Sequence, residues 1–310
     1  MTDNRPSKAH SLIGRVWTQR SITQKRSLVG WGFLLPAALL ILWMNFYPML
    51  QALWTSLHKG SSPNMTWDTL TLYNYERLFN DKVFLQTLGT TFTYLIVQVP
   101  VMLIFAIILA TLLNDKNLKF KGFFRTAVFL PCTTALVSYS IIFRSLFAVD
   151  GYVNFVLVNL GILETGYNFL GTPWSARMVI ILALLWRWTG YNMIFFLAAL
   201  QNIEPTIYEA ARIDGASPFQ QLRRITIPLL KPMILLTAIM STNGTLQLFD
   251  ESFNLTRGGP GRASMTVSHH LYQLAFEKAP NFGYATAVSF VILMLVAVLA
   301  LIQMRVGDKR

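Results

Sequence analysis

The stretch that decides the fold reads Asn202-Ile-Glu-Pro-Thr-Ile-Tyr-Glu-Ala-Ala-Arg-Ile-Asp-Gly-Ala-Ser-Pro-Phe219, and it separates two long apolar runs. Pro205 suits the first turn of a helix, where its missing N–H costs nothing. Gly215 favours a helix stop, because helices commonly end on a left-handed residue that glycine adopts without strain. Ser217 and Pro218 then supply an N-cap and a first-turn proline. The stretch therefore predicts two short helices joined by a sharp turn.

On both sides of this stretch lie apolar runs long enough to cross the roughly 30 Å hydrocarbon core of a bilayer. Arg187 is the only Asp, Glu, Lys or Arg within them, while Pro228 and Pro232 mark the entry into the run that follows the quoted stretch. The runs cover residues 28–57, 88–113, 126–143, 178–200, 232–249 and 283–304. The sequence predicts an all-α integral membrane protein with six transmembrane helices and a cytosolic loop at about 202–228.

The composition supports the membrane interpretation. Of the 310 residues, 54% are hydrophobic and only 13% are charged, whereas soluble domains have about a quarter charged residues. The net charge of +12 would suit a nucleic-acid partner only if the basic residues clustered on a soluble face, and here they lie between apolar runs. We therefore expect membrane lipid, and not nucleic acid, around this chain.

The distribution of Lys and Arg predicts the orientation in the membrane, because basic residues concentrate in cytosolic segments. With the N-terminus in the cytosol, 17 basic residues fall in inside segments and six fall in outside loops. Both termini are therefore predicted to be cytosolic. The predicted domains are a basic N-terminal segment at 1–27, a first transmembrane helix at 28–57 and a five-helix transmembrane domain at 83–306.

A spaced set of residues in the quoted stretch and just beyond it resembles a family signature. Glu209-Ala210-Ala211 is followed at fixed offsets by Gly215, Ile225 and Ile227-Pro228. At average residue frequencies this coincidence has a probability of about 10⁻⁷ per starting position. The pattern resembles the EAA loop of the integral-membrane permeases of binding-protein-dependent ABC importers. Ile227 stands where that pattern usually has Leu.

Other segments are similar to the maltose-, lactose- and arabinose-type sugar permeases of this family. These segments lie at 73–75, 123–131, 168–174 and 255–261, the last reading Leu-Thr-Arg-Gly-Gly-Pro-Gly. The resemblance implies the type I ABC importer permease fold, import of a disaccharide or oligosaccharide, and a place in the bacterial cytoplasmic (inner) membrane. It also implies partners: a second permease subunit, two ABC ATPase subunits and an extracytoplasmic sugar-binding protein.

The resemblance further implies that the EAA segment is a coupling helix docked on an ATPase. The sequence has no G-x-x-x-x-G-K-[ST] phosphate loop, so we expect ATP and magnesium on the partner ATPase, with no cofactor on this chain and no enzymatic activity of its own. The residues expected to couple to the ATPase are Glu209, Ala210, Ala211, Asp214, Gly215 and Pro228.

The substrate pathway should run along polar positions of otherwise apolar helices, because sugars need hydrogen-bonding groups and aromatic faces. Asn243, Gln247 and Asp250 share one stripe if the fifth helix continues to residue 250. At each position the alternative is helix packing, for which small and polar residues are also used. The candidates are Cys132, Trp188, Thr189, Gly190, Asn192, Ser241, Asn243, Gly244, Thr245 and Gln247.

Two questions stay open at the level of sequence. Arg187 should face the cavity or meet a carboxylate, because a charge at the bilayer centre is costly unless it finds water or a partner. The cargo is also open, since the EAA loop marks the mechanism and leaves other small solutes possible. A secondary transporter without ATPases would leave the EAA spacing unexplained. A membrane enzyme or metal protein finds no support, because Cys132 is the one cysteine and the four histidines lack zinc-ligand spacing.

Overall fold

The computed structural model of this chain describes residues 22–60, 69–115, 118–277 and 280–307. Over these residues the protein is helical, and its β structure is limited to an isolated bridge between His58 and Leu70. The chain divides into two compact units, of which the first ends at Thr55 and the second begins at Ser56. Residues 1–21 of the predicted basic segment 1–27 lie outside the described residues.

The first unit contains one long apolar helical stretch. Helix α1 (Ile22–Ile41) continues through a π-helical turn (Leu42–Phe46) into α2 (Tyr47–Ser56). The part from Val29 to Ser56 has 28 residues, which at 1.5 Å per residue is about 42 Å and exceeds the hydrocarbon thickness. This helical stretch covers nearly all of the predicted helix at 28–57 and begins earlier, at Ile22.

The second unit contains the remaining helices. In chain order they are α3 (Tyr73–Asn80), α4 (Lys82–Asn114), α5 (Lys121–Thr133), α6 (Leu136–Leu146), α7 (Tyr152–Asn159), α8 (Pro173–Gln201), α9 (Pro205–Ile213), α10 (Pro218–Gln221), α11 (Ile227–Leu246), α12 (Asp250–Asn254), α13 (Val267–Tyr272) and α14 (Phe282–Gly307). Further π-helical turns occupy Leu222–Thr226 and Gln273–Glu277. Among the described residues, five helical stretches are long and apolar enough to span, and α5 with α6 makes six.

Helices α4 and α8 pack against each other along their length and form the largest part of the core. Met102, Ala106 and Ala110 of α4 are buried together with Met193 and Phe196 of α8. The alanines allow the two backbones to approach, and the larger side chains fill the space between them, as is usual for helices packed in a membrane. This pair is the most extensive helix contact of the second unit.

The third predicted span, 126–143, is not one continuous helix. Helices α5 and α6 meet at an angle of 98°. Thr134 and Ala135 between them are extended, with ψ angles of 147° and 138°. Pro131 lacks the N–H that would continue the helical ladder, which weakens the last turn of α5. The broken pair exposes helix-terminal carbonyl groups within the second unit.

The fifth predicted span, 232–249, lies within a longer candidate span that runs from Pro218 to Asn254, so its start is predicted too late in the chain. The helix is continuous from Pro218 through the π-helical turn Leu222–Thr226 into α11, which ends at Leu246. Pro228 therefore does not interrupt it. The π-helical turn ends at Thr226, two residues before this proline. Because Pro228 has no N–H, it cannot donate the regular helical hydrogen bond to the preceding turn. Asp250 begins the separate helix α12, so Asn243 and Asp250 do not lie on one continuous helix.

Candidate functional site

The hairpin segment, residues 205–221, has the local structure predicted from its sequence. Pro205 lies in the first turn of α9, and Gly215 follows this helix with a φ angle of +78°. Ser217 caps α10 in a capping box, in which its Oγ accepts from the Gln220 N–H while the Gln220 Oε1 accepts from the Ser217 N–H. The two reciprocal bonds fix the start of α10. The turn between the helices is thus fixed by glycine and the cap together.

The hairpin segment presents apolar side chains on its surface. Ile213 is 87% exposed and Phe219 is 69% exposed. Glu209, Ala210, Asp214, Gly215 and Pro228 are also exposed, and Ala211 is half-buried. Tyr208 connects α9 to the π-helical turn through a 3.0 Å hydrogen bond between its hydroxyl and Thr226 Oγ1. The predicted coupling residues therefore lie on a surface that is anchored to the fifth span.

A cavity of about 320 Å³ lies between α4, α6, α8, α11 and α12. Its wall carries the aromatic rings of Trp188, Tyr191 and Phe249 and the polar groups of Gln98 and Asn192. Aromatic faces and neutral hydrogen-bonding groups are the features by which concave sites hold small polar ligands. This cavity is the candidate binding site.

The structure brings six of the ten predicted pathway residues to this cavity and leaves four elsewhere. Trp188, Asn192, Ser241, Gly244, Thr245 and Gln247 line it. Cys132, Thr189, Gly190 and Asn243 do not belong to its lining. Cys132 lies at the break after α5, and Asn243 is exposed and accepts a hydrogen bond from Gln247.

Sequence reasoning missed several residues of the cavity wall. Gln98 and Met102 come from α4, and Glu251 comes from α12. A signal for Gln98 was present, since it is a lone amide inside the apolar run 88–113. No comparable signal marks Met102, whose side chain looks like any other apolar residue of that run.

Arg187 has different partners from those expected. Arg187 is 5% exposed, and its guanidinium group donates to the Thr134 carbonyl at 2.7 Å and to the Cys132 carbonyl at 3.3 Å. It also lies over the ring of Tyr139, at 4.7 Å from the centroid. Arg187 is not among the residues that line the cavity, and its hydrogen bonds go to residues at the end of α5 instead of a carboxylate. Arg187 instead covers the carbonyl groups that the break after α5 leaves without helical partners.

Glu251 is a buried carboxyl group at the edge of the cavity. It is 2% exposed, and the Tyr139 hydroxyl donates a hydrogen bond to its Oε1. This contact joins α12 to α6, the second half of the broken span. Glu251 is also one of the residues that line the cavity.

The loop after α12 is held by side chains that bond to its backbone. Arg177 Nε donates to the Ala263 carbonyl at 2.7 Å, and Ser252 Oγ donates to the Ser264 carbonyl at 3.1 Å. Ser252 also lies 2.8 Å from His269 Nδ1, and burial lowers the pKa of His269 below its ordinary value. These bonds hold the residues directly after the Leu-Thr-Arg-Gly-Gly-Pro-Gly segment, and Ser264 Oγ also donates to the Gly259 carbonyl within that segment at 2.6 Å.

Gly190 lies where α8 contacts α5, so a substitution at this position tests that contact. A β-carbon there would lie 1.9 Å from the Val128 carbonyl oxygen on α5. We expect Gly190→Ala to push α5 and α8 apart and to destabilise the protein by roughly 1–3 kcal/mol, as overpacking does. Thermal unfolding of the purified protein in detergent measures this effect. Gly89→Ala on α4 is the matched control, because no atom lies within 4 Å of its added carbon. Equal unfolding temperatures for the two variants would contradict the contact.

A family model and individual known proteins match this chain over most of its length. Residues 76–310 match the family model described as "Binding-protein-dependent transport system inner membrane component". The lactose transport system permease protein LacF of Rhizobium radiobacter is 46% identical over 295 residues, covering 94% of this chain and 98% of that protein. The arabinooligosaccharides transport system permease protein AraP of Halalkalibacterium halodurans is 33% identical and covers 87% of this chain and 84% of that protein.

A solved structure has the same fold. A chain of a bacterial ABC transporter involved in the import of the acidic polysaccharide alginate superposes with a TM-score of 0.82. The match covers 95% of this chain and 99% of that one at 23% sequence identity. At this identity the similarity concerns the arrangement of the helices, that is, the fold.

Proposed function

Because the chain belongs to the family of binding-protein-dependent transport system inner membrane components, we propose that it carries a disaccharide or oligosaccharide through the cavity between α4, α8 and α11. It is a permease subunit of an ABC importer, a transport component of the inner membrane that crosses the bilayer several times. The resemblance noted in the EAA stretch and the predicted fold are thereby confirmed.

The observation that carries the sugar proposal is the composition of the cavity wall. Trp188 and Tyr191 provide aromatic faces, while Gln98, Asn192 and Ser241 provide neutral donors and acceptors. Sugars present hydroxyl groups that both donate and accept, and their ring faces pack on aromatic side chains. The relatives named for lactose and for arabinooligosaccharides support the same cargo class.

The hairpin segment supports a second part of the proposal, the coupling to ATP hydrolysis. Its exposed Ile213 and Phe219, together with the exposed Glu209 on α9, suit docking in a groove of an ABC ATPase. Ala210 and Ala211 allow close approach, and Gly215 sets the angle of the turn. Nucleotide-driven closure of the ATPases would then move the attached helices as rigid bodies.

The proposed assembly contains a second permease subunit, two ATPase subunits and an extracytoplasmic sugar-binding protein. ATP and magnesium would bind on the ATPases, and this chain would hold no cofactor. Both termini would lie in the cytosol, on the side of the hairpin segment, in agreement with the concentration of basic residues in the inside segments.

The test is co-purification of the chain with the subunits encoded beside it, followed by uptake in proteoliposomes. Labelled lactose, maltose, trehalose, an amino acid and a dipeptide are offered with and without ATP inside the vesicles. We expect ATP-dependent uptake of at least one sugar. Uptake that needs no ATP would contradict the coupling proposal, and ATP-dependent uptake of the amino acid or dipeptide alone would contradict the sugar proposal.

Glu209 offers a direct test of the docking surface. Glu209→Lys reverses a charge on the exposed face of α9, and we expect about fivefold less ATPase to co-purify with the permease. The ratio of subunits on a stained gel measures this. Glu164→Lys, the same charge change at an exposed position outside the hairpin segment, serves as the control. An unchanged ratio for Glu209→Lys would remove Glu209 from the interface.

A further inference from the structure

The connection between the third and fourth spans exposes large apolar side chains. It joins α6 to α8 and contains α7 (Tyr152–Asn159). Tyr152 and Phe155 are 66% and 64% exposed, and their rings stack with 6.2 Å between the centroids. Together with Val158, Leu160 and Ile162, which are also exposed, they form the α7 surface. Side chains of this kind rarely cluster on a surface in contact with water, so the α7 surface marks a contact with a partner.

The α7 surface is mounted on a fixed support. The buried side chain of Asn154 donates to the Ala148 carbonyl at 2.9 Å and to the Tyr167 carbonyl at 2.8 Å, and its Oδ1 accepts from the Tyr167 N–H at 2.9 Å. A β-carbon at Gly151 would collide with the Ser145 carbonyl group at the end of α6. These contacts hold α7 against the end of α6, and they keep its apolar side chains turned outwards.

The position of α7 follows from its contacts with the start of α8. Helix α8 has 29 residues, about 44 Å, which is more than the hydrocarbon thickness. The hairpin segment follows its C-terminal end, whereas Tyr167, to which Asn154 bonds, lies shortly before its N-terminal end. The rings of Phe147 and Phe169 meet on the same side, 5.5 Å apart. The α7 surface therefore lies at the face of the bilayer opposite to the hairpin segment.

The charges around the α7 surface select the kind of partner. Between residues 145 and 176 the charged residues are Asp150 and Glu164, both exposed, and the sequence has no Lys or Arg there. Anionic headgroups are bound by Lys and Arg, and carboxylates repel them. Tyr and Trp favour the headgroup layer of a membrane, and here Tyr152 lies on α7 and Trp174 at the start of α8. Aromatic side chains without basic residues fit a zwitterionic headgroup layer.

A soluble protein suits the α7 surface less well. A protein that binds and leaves in each transport cycle would return Leu160 and Ile162 to water, which is unfavourable for apolar side chains. Lipid stays in contact throughout the cycle. The α7 surface also follows closely on Ile141 and Ile142, two exposed apolar residues of α6 in the broken span. The apolar surface of the span thus continues onto α7.

We propose that α7 is an interfacial helix whose exposed face lies in the zwitterionic headgroup layer of the leaflet opposite to the hairpin segment. With 8 residues, about 12 Å, it is too short to span and lies along the membrane surface. Because Asn154 bonds to Ala148 directly after α6, this anchor also fixes the level at which the broken span ends. The inference depends neither on the cargo nor on the coupling to an ATPase.

The experiment measures the surroundings of Phe155 in the assembled transporter. Cys132 is the one cysteine of the sequence, so Cys132→Ser provides a background for Phe155→Cys, which is labelled with a fluorophore while the other subunits are cysteine-free. The complex is reconstituted into phosphatidylcholine and phosphatidylethanolamine vesicles. Quenching by iodide in the water is compared with quenching by nitroxide carried on lipid headgroups. Glu164→Cys is the matched control, because it is exposed in the same connection but lies outside the α7 surface.

We expect the lipid nitroxide to quench the label at 155 about threefold more than the label at 164, and iodide to quench it about threefold less. Equal quenching by iodide at both positions would overturn the inference, because it would place the α7 surface in water. Protection of the label at 155 from iodide only after the extracytoplasmic binding protein is added would assign the surface to a protein partner instead.

A change of lipid tests the charge argument. When about a third of the lipid is replaced by anionic phosphatidylglycerol, quenching of the label at 155 by the lipid nitroxide should stay within about 1.5-fold of its first value, because no Lys or Arg is near. A rise of about threefold or more would overturn the assignment to zwitterionic headgroups. None of these measurements uses transport, so a failure of the uptake test would be a separate result.

Discussion

Arg187→Met is expected to destabilise the protein more than any other single substitution in the fourth span. The methionine fills a similar volume but leaves the carbonyl groups of Cys132 and Thr134 without their donor. Each hydrogen bond from a charged group contributes roughly 1.5–3 kcal/mol, so losing both is expected to cost roughly 3–6 kcal/mol. We expect the unfolding temperature in detergent to fall by on the order of 10 °C.

The controls for Arg187 distinguish its bonds from its charge. Arg144→Met removes an exposed arginine at the end of α6 and should leave the unfolding temperature within about 2 °C. Arg187→Lys keeps the charge but lacks the planar guanidinium group that reaches two carbonyl groups. Its unfolding temperature is therefore expected to lie between those of the wild type and Arg187→Met. If Arg187→Met unfolds at the temperature of Arg144→Met, Arg187 does not stabilise the break between α5 and α6.

Gly215→Val is expected to abolish most of the transport while the protein still inserts into the membrane. The φ angle of +78° is available to glycine, whereas L-residues pay roughly 1–2 kcal/mol there and β-branched residues more. No atom lies within 4 Å of the position, so the effect comes from the backbone and not from a clash. We expect at least tenfold lower ATP-dependent uptake with membrane levels within about twofold of the wild type.

Two comparisons make the Gly215 result specific. Gly215→Asn should retain most of the uptake, because asparagine tolerates the left-handed region. Gly161→Val places the same strain at another open left-handed glycine, with φ +71°, outside the hairpin segment. If Gly161→Val lowers uptake as much as Gly215→Val does, the loss reflects general strain, and the hairpin turn has no special role in coupling.

Features that depend on neighbouring residues could be predicted from the sequence. The turn at Gly215, the cap at Ser217 and the helix start at Pro205 are all set by the residues that form them. The apolar spans are equally direct, because a bilayer-sized run without charges has few alternatives. The EAA spacing then identified the family, which the family match confirms.

Features that depend on distant residues could not be predicted. The break after Pro131 is stabilised by Arg187, 53 residues from Thr134 along the chain, and nothing local indicates that pairing. Gln98 meets Thr245 across 147 residues. Because a membrane helix is apolar on all sides, hydropathy does not tell which of its faces meets another helix or a cavity. The wall of the cavity could therefore be predicted only in part.

The continuity of the helix from Pro218 to Leu246 has a mechanical consequence. Ser241 lies 23 residues beyond Pro218 on this helical run, a separation of about 35 Å at 1.5 Å per residue. A rod of this length that tilts by about 10° at its lower end displaces its upper end by about 6 Å. Since no loop interrupts the run, it acts as a lever arm. A small rotation at the hairpin would thus be amplified into a shift the size of a sugar ring at Ser241 and Thr245.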